Sequence, residues 1–216
     1  MGRVLDIIFP LECIACGASG AHACSSCLAS VAMAPRILED RGIRTAAGFA
    51  YAQPLVRRLL HDAKYEGWTC ALGPLQTLMR RWTLKASGLV PDGAVIASVP
   101  LHPSRQRARG YNQAEALAGA VAAAAGRARA EGFLERARRT RPQTDADDRR
   151  GNVRGAFACR ALPAPLRGRP FVLVDDVRTS GATMRECAAA LRTAGAGQVL
   201  GLALAWGSGG KEEAGT

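Results

Sequence analysis

Two adjacent carboxylates, Asp175 and Asp176, stand between an apolar run, Phe171 to Val174, and a stretch of small and hydroxylated residues, Thr179, Ser180, Gly181, Ala182 and Thr183. Paired carboxylates accept hydrogen bonds from sugar hydroxyls, or bind Mg²⁺ directly or through water. A small-residue turn that opens a helix offers a phosphate its backbone N–H groups and the positive end of the helix dipole. Together these parts suit a phosphorylated sugar. The plainer alternative is an ordinary strand-to-helix turn with an aspartate cap.

A second set of reactive residues is Cys13-Ile-Ala-Cys16 and Cys24-Ser-Ser-Cys27, two CxxC pairs separated by seven residues. Each CxxC turn aims two thiolates at one ion, and two such turns complete a tetrahedral site. A structural zinc is expected, with a redox dithiol as its competitor. So small a unit has little core of its own, and the metal supplies its folding energy. His22 is expected to be a bystander, because four thiolates already fill the shell.

The third set is basic. Arg105, Arg107 and Arg109 alternate in LHPSRQRARGYN, after an apolar run that Pro100 ends. Such a loop holds diphosphate by bidentate hydrogen bonds, or is a solvated surface loop. From Leu101 to Arg169, fifteen Arg face six acids, +9 of the chain's +11. An arginine-rich middle suits phosphate-bearing partners, from diphosphate to nucleic acid, and a solvated face is the competing reading. Five Phe, three Tyr and three Trp leave few aromatics for stacking bases.

The elements that must position these groups alternate. Strands are expected at Ile43–Ala52, Ala94–Val99, Gly132–Arg138, Phe157–Ala158, Phe171–Val174 and Val199–Trp206. Helices are expected from Pro54 toward Gly67, through Leu72 to Trp82, from an Asn112 cap to about Ala125, and from Met184 to Gly195. Lys64 and Tyr65 fall near the end of the first helix, where a Lys reads as a solvated charge. The order implies an α/β fold with a mainly parallel sheet flanked by helices. Ligands bind such sheets where strands end and helices begin, so Pro100–Asn112 and Asp175–Thr183 share one edge.

Residues 1–40 read as the small metal unit, 41–207 as the main domain and 208–216 as a flexible tail. The stretch 139–157 has no clear periodicity and reads as a connector or a mobile lid. No apolar run approaches the roughly 20 residues of a membrane span. MGRVLDIIFPLEC carries Asp6 inside its apolar patch and no small-residue cleavage site, so no signal peptide and a cytoplasmic location are expected.

FVLVDDVRTSGAT resembles the phosphoribosyl diphosphate signature of type I phosphoribosyltransferases. IIFPLECIACG, the second CxxC, LLHDAKYEG, VPLHPSRQRARGYNQAEALA, NVRGAF and that signature occur in the order seen in the ComF family, over about residues 5–205. The resemblance implies a zinc ribbon, with Cys13, Cys16, Cys24 and Cys27 as ligands, joined to a type I phosphoribosyltransferase-like domain. It implies that Asp175 and Asp176 hold the ribose of a Mg²⁺–phosphoribosyl diphosphate. Thr179, Ser180, Gly181, Ala182 and Thr183 then cradle its 5-phosphate; Val177 and Arg178 belong to the same ribose-phosphate segment, with Arg178 either adding a cation near the ligand or pointing to solvent. Pro100, Leu101, Arg105, Arg107 and Arg109 take the diphosphate, and Gln143, Arg149 and Asn152 belong to a lid. Transfer of the phosphoribosyl group to a nitrogen nucleophile is one implied activity. The other is a cytosolic accessory role in uptake of single-stranded DNA during natural transformation, with an uptake helicase as partner and the pocket sensing its ligand.

Overall fold

The computed structural model describes residues 11–40, 42–65, 69–136 and 155–207. Its main sheet grows from apolar runs that are buried on both faces. In chain order its strands are β1 (Arg36–Asp40), β2 (Ile43–Ala50), β3 (Val95–Ser98), β4 (Ala128–Arg129), β7 (Phe171–Arg178) and β8 (Val199–Trp206). They lie side by side as β1-β2-β8-β7-β3-β4. Only β1 is antiparallel to its neighbour; the other pairs run parallel. A parallel sheet needs both faces covered, which is why Phe171–Val174 reads as unbroken apolar residues. Two short strands, β5 (Leu134–Arg136) and β6 (Phe157–Cys159), form a separate antiparallel pair.

The helices are α1 (Ser25–Ser30), α2 (Pro54–Tyr65), α3 (Leu72–Lys85), α4 (Pro103–Arg109), α5 (Gln113–Ala125) and α6 (Ala182–Thr193). On one face of the sheet, Val56, Leu59, Leu60, Leu75, Leu78, Met79, Trp82, Leu117 and Val121 of α2, α3 and α5 form a continuous core. On the other face, Met184, Cys187, Ala188 and Leu191 of α6 pack with Phe157, Leu162 and Phe171. Trp82 packs closely on β2 because residue 48 is glycine: a Cβ there would stand 2.6 Å from the indole. The α/β fold, its mainly parallel sheet and the small N-terminal cysteine unit are as the sequence implies.

Three local outcomes differ from the sequence reading. Arg36–Asp40, for which the sequence suggested no strand, adds an edge to the sheet through Arg36↔Ala47 to Asp40↔Ile43. The alternating arginines expected on a loop lie on a helix, α4, opened by Pro103 and closed by Gly110 at φ +80°. His102 caps its start, accepting from the Ser104 amide at 3.2 Å. The apolar run of β7 was expected to stop at Val174, yet the strand continues to Arg178, paired with Trp206 of β8.

Candidate functional site

β3 ends at Ser98, opposite Val174 of β7. One more bond, from the Val99 amide to the Val174 carbonyl at 2.9 Å, closes that side. Beyond it β7 runs on with no strand paired on the β3 side among the described residues, and its next residues are Asp175 and Asp176. The opening is a cleft of about 210 Å³ lined by Pro100, Leu101, Arg105, Arg109, Asp175, Asp176 and Thr183, with Lys64, Tyr65 and Arg136. Asp175 and Arg105, 70 positions apart in the chain, thus share a single space with Asp176 and Arg109.

Helical periodicity sorts the arginines. Arg105 and Arg109 are four residues apart and share a face of α4, while Arg107 lies on the opposite face and is exposed. Asn112 caps α5, accepting from the Ala114 amide at 3.1 Å, and its own amide donates to the Val99 carbonyl at 3.1 Å. That side chain fixes the start of α5 against the end of β3. Tyr111 Oη donates to the Ala63 carbonyl at 2.6 Å and ties the same turn to α2.

The acidic pair is held by its own backbone. The Asp176 amide donates to Asp175 Oδ1 at 2.8 Å, and the Val177 amide to Asp176 Oδ1 at 2.6 Å. Lys64 Nζ sits 2.7 Å from Asp176 Oδ2. The sequence reading of Lys64 as a solvated charge is therefore wrong. A crossover helix usually returns along the sheet, leaving its last turn at the opposite edge. α2 instead packs on α3, and its last turn reaches the carboxyl ends of the strands. Burial, then the charge of Asp176, push the Asp175 carboxyl up to about 8. Burial works against the Lys64 ammonium, but the charges of Asp176 and Asp175 outweigh it and leave the Lys64 pKa raised. Cys187, buried in the core on α6, is pushed far up by burial and then by the Asp175 charge, which favours the packed thiol over the thiolate.

The turn after the pair is shaped by glycine and arginine. Gly181 adopts φ +74° immediately before α6, where Thr179 and Ser180 are exposed and Ala182 is buried. Arg178 does not enter the cleft. Its Nε donates to Thr45 Oγ1 at 2.8 Å and its Nη1 to the Thr179 carbonyl at 3.1 Å, buttressing the turn from behind. Val177 packs against the core. Sequence reasoning missed Arg136, which enters from β5 with its guanidinium 5.3 Å from the Phe157 ring. Burial and the nearby charge of Arg105 lower its pKa. Tyr65, 72% exposed, stands at the mouth with Arg109 5.9 Å from its ring centre. Gln143, Arg149 and Asn152 lie outside the described residues.

The second candidate centre is the cysteine unit. The thiols of Cys13, Cys16, Cys24 and Cys27 all lie within 4.8 Å of one another, an arrangement that can hold a metal ion. The Cys24 amide points at Cys13 Sγ from 3.3 Å. Backbone amides of Cys24 and Ala15 lower the Cys13 pKa to about 6, favouring the thiolate that a metal requires. His22 stays off the thiols: its Nε2 lies 2.9 Å from Oδ2 of Asp62, which is fully buried on α2. Arg81 of α3 donates to the Leu28 carbonyl at 2.6 Å and to that of Val31, satisfying the open end of α1.

No family model matches the chain. Among characterised proteins, Competence protein F of Haemophilus influenzae is 37% identical over 114 residues, covering 51% of this chain and 50% of that protein. The chain thus spans about half the length of that relative. DNA utilization protein YhgH of Salmonella typhimurium is 32% identical over 196 residues, covering 87% of this chain and 80% of that protein. The chain belongs to the ComF family. YhgH of Escherichia coli K12 is 31% identical over the same 196-residue length. The ComF-family chain also superposes on solved structures. One is glutamine phosphoribosylpyrophosphate amidotransferase from B. subtilis, with TM-score 0.39 and 22% identity over 59% of this chain and 26% of that one. Another is a hypoxanthine phosphoribosyltransferase from Staphylococcus aureus, with TM-score 0.36 and 7% identity over 60% of this chain and 61% of that one. Among the described residues, no helix is long and apolar enough to cross a membrane.

Proposed function

We propose that the cleft binds a ribosyl phosphate together with Mg²⁺, phosphoribosyl diphosphate being the ligand that uses every part of it. The supporting observation is the convergence of Asp175 and Asp176 with Arg105 and Arg109 on one cleft. The residues fit such a group. Carboxylate oxygens are the ligands that Mg²⁺ prefers, and Asp176 already attracts a cation at 2.7 Å. The acidic pair takes ribose hydroxyls, the Thr179–Thr183 turn takes the 5-phosphate at the start of α6, and Arg105 and Arg109 take the diphosphate. In a transfer reaction to a nitrogen nucleophile, those guanidinium groups hold charge that develops on the leaving diphosphate. The four thiolates hold a structural zinc that fixes the N-terminal unit. Calorimetry with Mg²⁺ and phosphoribosyl diphosphate tests the binding. Heat of binding that is absent, or unchanged by Asp175→Asn with Asp176→Asn, sinks the reading. Diphosphate release with a panel of nucleobases and ammonia tests the chemistry.

A second reading is a cytoplasmic accessory role in DNA uptake, with single-stranded DNA and an uptake helicase as partners. The names of the relatives, Competence protein F and DNA utilization protein, favour it, as does the +9 charge of residues 101–169. Binding to single-stranded DNA across a salt series separates it from the first. Affinity that does not fall as salt rises counts against it.

A further inference from the structure

Four cationic side chains line the cleft, Lys64, Arg105, Arg109 and Arg136. The Lys64 ammonium is seated on the acidic pair, 2.7 Å from Asp176 Oδ2, with side chains only 25% and 13% exposed. An ammonium on that oxygen and a divalent ion on the same carboxylate repel one another at contact distance, in a setting that water screens poorly. Lys64 also occupies the last turn of α2, on a four-carbon stem with three rotatable donors, so it can turn toward another acceptor in the cleft.

We propose that Lys64 is a resident counter-cation of Asp176 that a divalent ion must displace, and that this displacement couples metal binding to binding of an anionic ligand. The inference rests on the ribosyl-phosphate reading of the cleft. With metal alone, the displaced ammonium loses its carboxylate and gains nothing. With a phosphate-bearing ligand alone, the ammonium remains engaged by Asp176. With both present, the metal takes the carboxylates and Lys64 turns to the phosphate oxygens. Each partner therefore strengthens the other, and the coupling is reciprocal. Lys64 acts here as a positioning and specificity residue.

The test is Mn²⁺ titration of the full chain with its cysteine site loaded, read by electron paramagnetic resonance, with and without ribose 5-phosphate. Without the sugar phosphate, Lys64→Met binds Mn²⁺ about tenfold tighter than the parent. Lys64→Arg stays near the parent. Arg109→Gln, which removes a charge from the cleft but not from Asp176, gains much less. Lys64→Gln carries the same expectation as the Met variant and stands in for it if the Met variant misfolds. Ribose 5-phosphate then tightens Mn²⁺ binding in the parent and does so less in Lys64→Met. Equal Mn²⁺ affinity in parent and both neutral variants overturns the proposal, as does an equal gain in Arg109→Gln. If the neutral variants gain Mn²⁺ affinity but ribose 5-phosphate changes nothing in any form, the displacement holds and the ribosyl-phosphate reading is what falls.

Discussion

His22 Nε2 lies 2.9 Å from Asp62 Oδ2, both side chains almost wholly buried, and Asp62 stands two residues before Lys64 on α2. A residue between the two CxxC pairs is therefore bolted to the helix whose last turn reaches the acidic cleft. Arg58 Nε completes the arrangement at 2.7 Å from Asp62 Oδ1. Removing His22 leaves half of a buried carboxylate without its partner. His22→Ala is expected to cost about 1–3 kcal/mol in urea unfolding. Metal content stays at the parent level, because His22 is not a ligand. Loss of metal in that variant contradicts the assignment.

Cys24→Ser breaks the four-thiolate set. The expected result is loss of about one equivalent of zinc by elemental analysis, with a lowered Tm. A variant that keeps its metal and its Tm shows that the cysteine unit folds on other contacts, such as Arg81 on the end of α1.

The α4 arginines divide by face. Arg105→Gln and Arg109→Gln are each expected to weaken phosphoribosyl diphosphate binding about tenfold by calorimetry. Arg107→Gln, exposed on the far side of α4, leaves affinity near the parent. Equal losses from all three substitutions argue for a diffuse field and against contacts in the cleft.

Asp175 gives a signed pH dependence. Its carboxyl is raised to about 8, by burial first and then by Asp176. The folded state thus holds a proton that the unfolded chain releases near 4. Its contribution to stability is fully present below the unfolded value and is lost as pH rises through about 8. Urea unfolding between pH 5 and pH 9 should show stability falling over this range, and Asp175→Asn should flatten the fall. Divalent-ion affinity moves the other way, rising with pH as the carboxyl ionises. Parallel slopes in Asp175→Asn and the parent refute the assignment.

Gly181 is at φ +74°, and a Cβ there would meet Arg178 Nη2 at 3.0 Å. Gly181→Ala is expected to cost about 1 kcal/mol or more, measured by thermal unfolding, through strain at the turn. Sugar-phosphate affinity falls with it. A neutral effect on both shows that the turn can shift without harm.

The sequence carried the parallel sheet because Phe171–Val174 and Val199–Trp206 are apolar at every depth that a doubly covered strand occupies. It carried the acidic pair and the Asn112 cap because each depends on its immediate neighbours. β1 was hidden: RILED is half exposed on an edge, and its pairing with β2 joins segments that are close in the chain, Asp40 opposite Ile43. Arg107 could not be told from Arg105 until the segment was known to be helical, since alternation implies a common side only in a strand. Lys64 and Arg136 were illegible for a different reason. Their partners, Asp176 for Lys64 and Phe157 for Arg136, lie more than twenty residues away, and no local pattern announces a helix that crosses the edge of a sheet.

The strand order places β8, the latest in the chain among the described strands, between β2 and β7. On a translating ribosome the N-terminal portion has no neighbour to zip against on its β8 side until Trp206 emerges. The cysteine cluster, which can hold a metal ion, is complete early, but the two halves of the sheet must wait as separate pieces. Loss of Val199–Trp206 by a nonsense codon or proteolysis therefore removes the keystone and leaves two unjoined half-sheets with open edges.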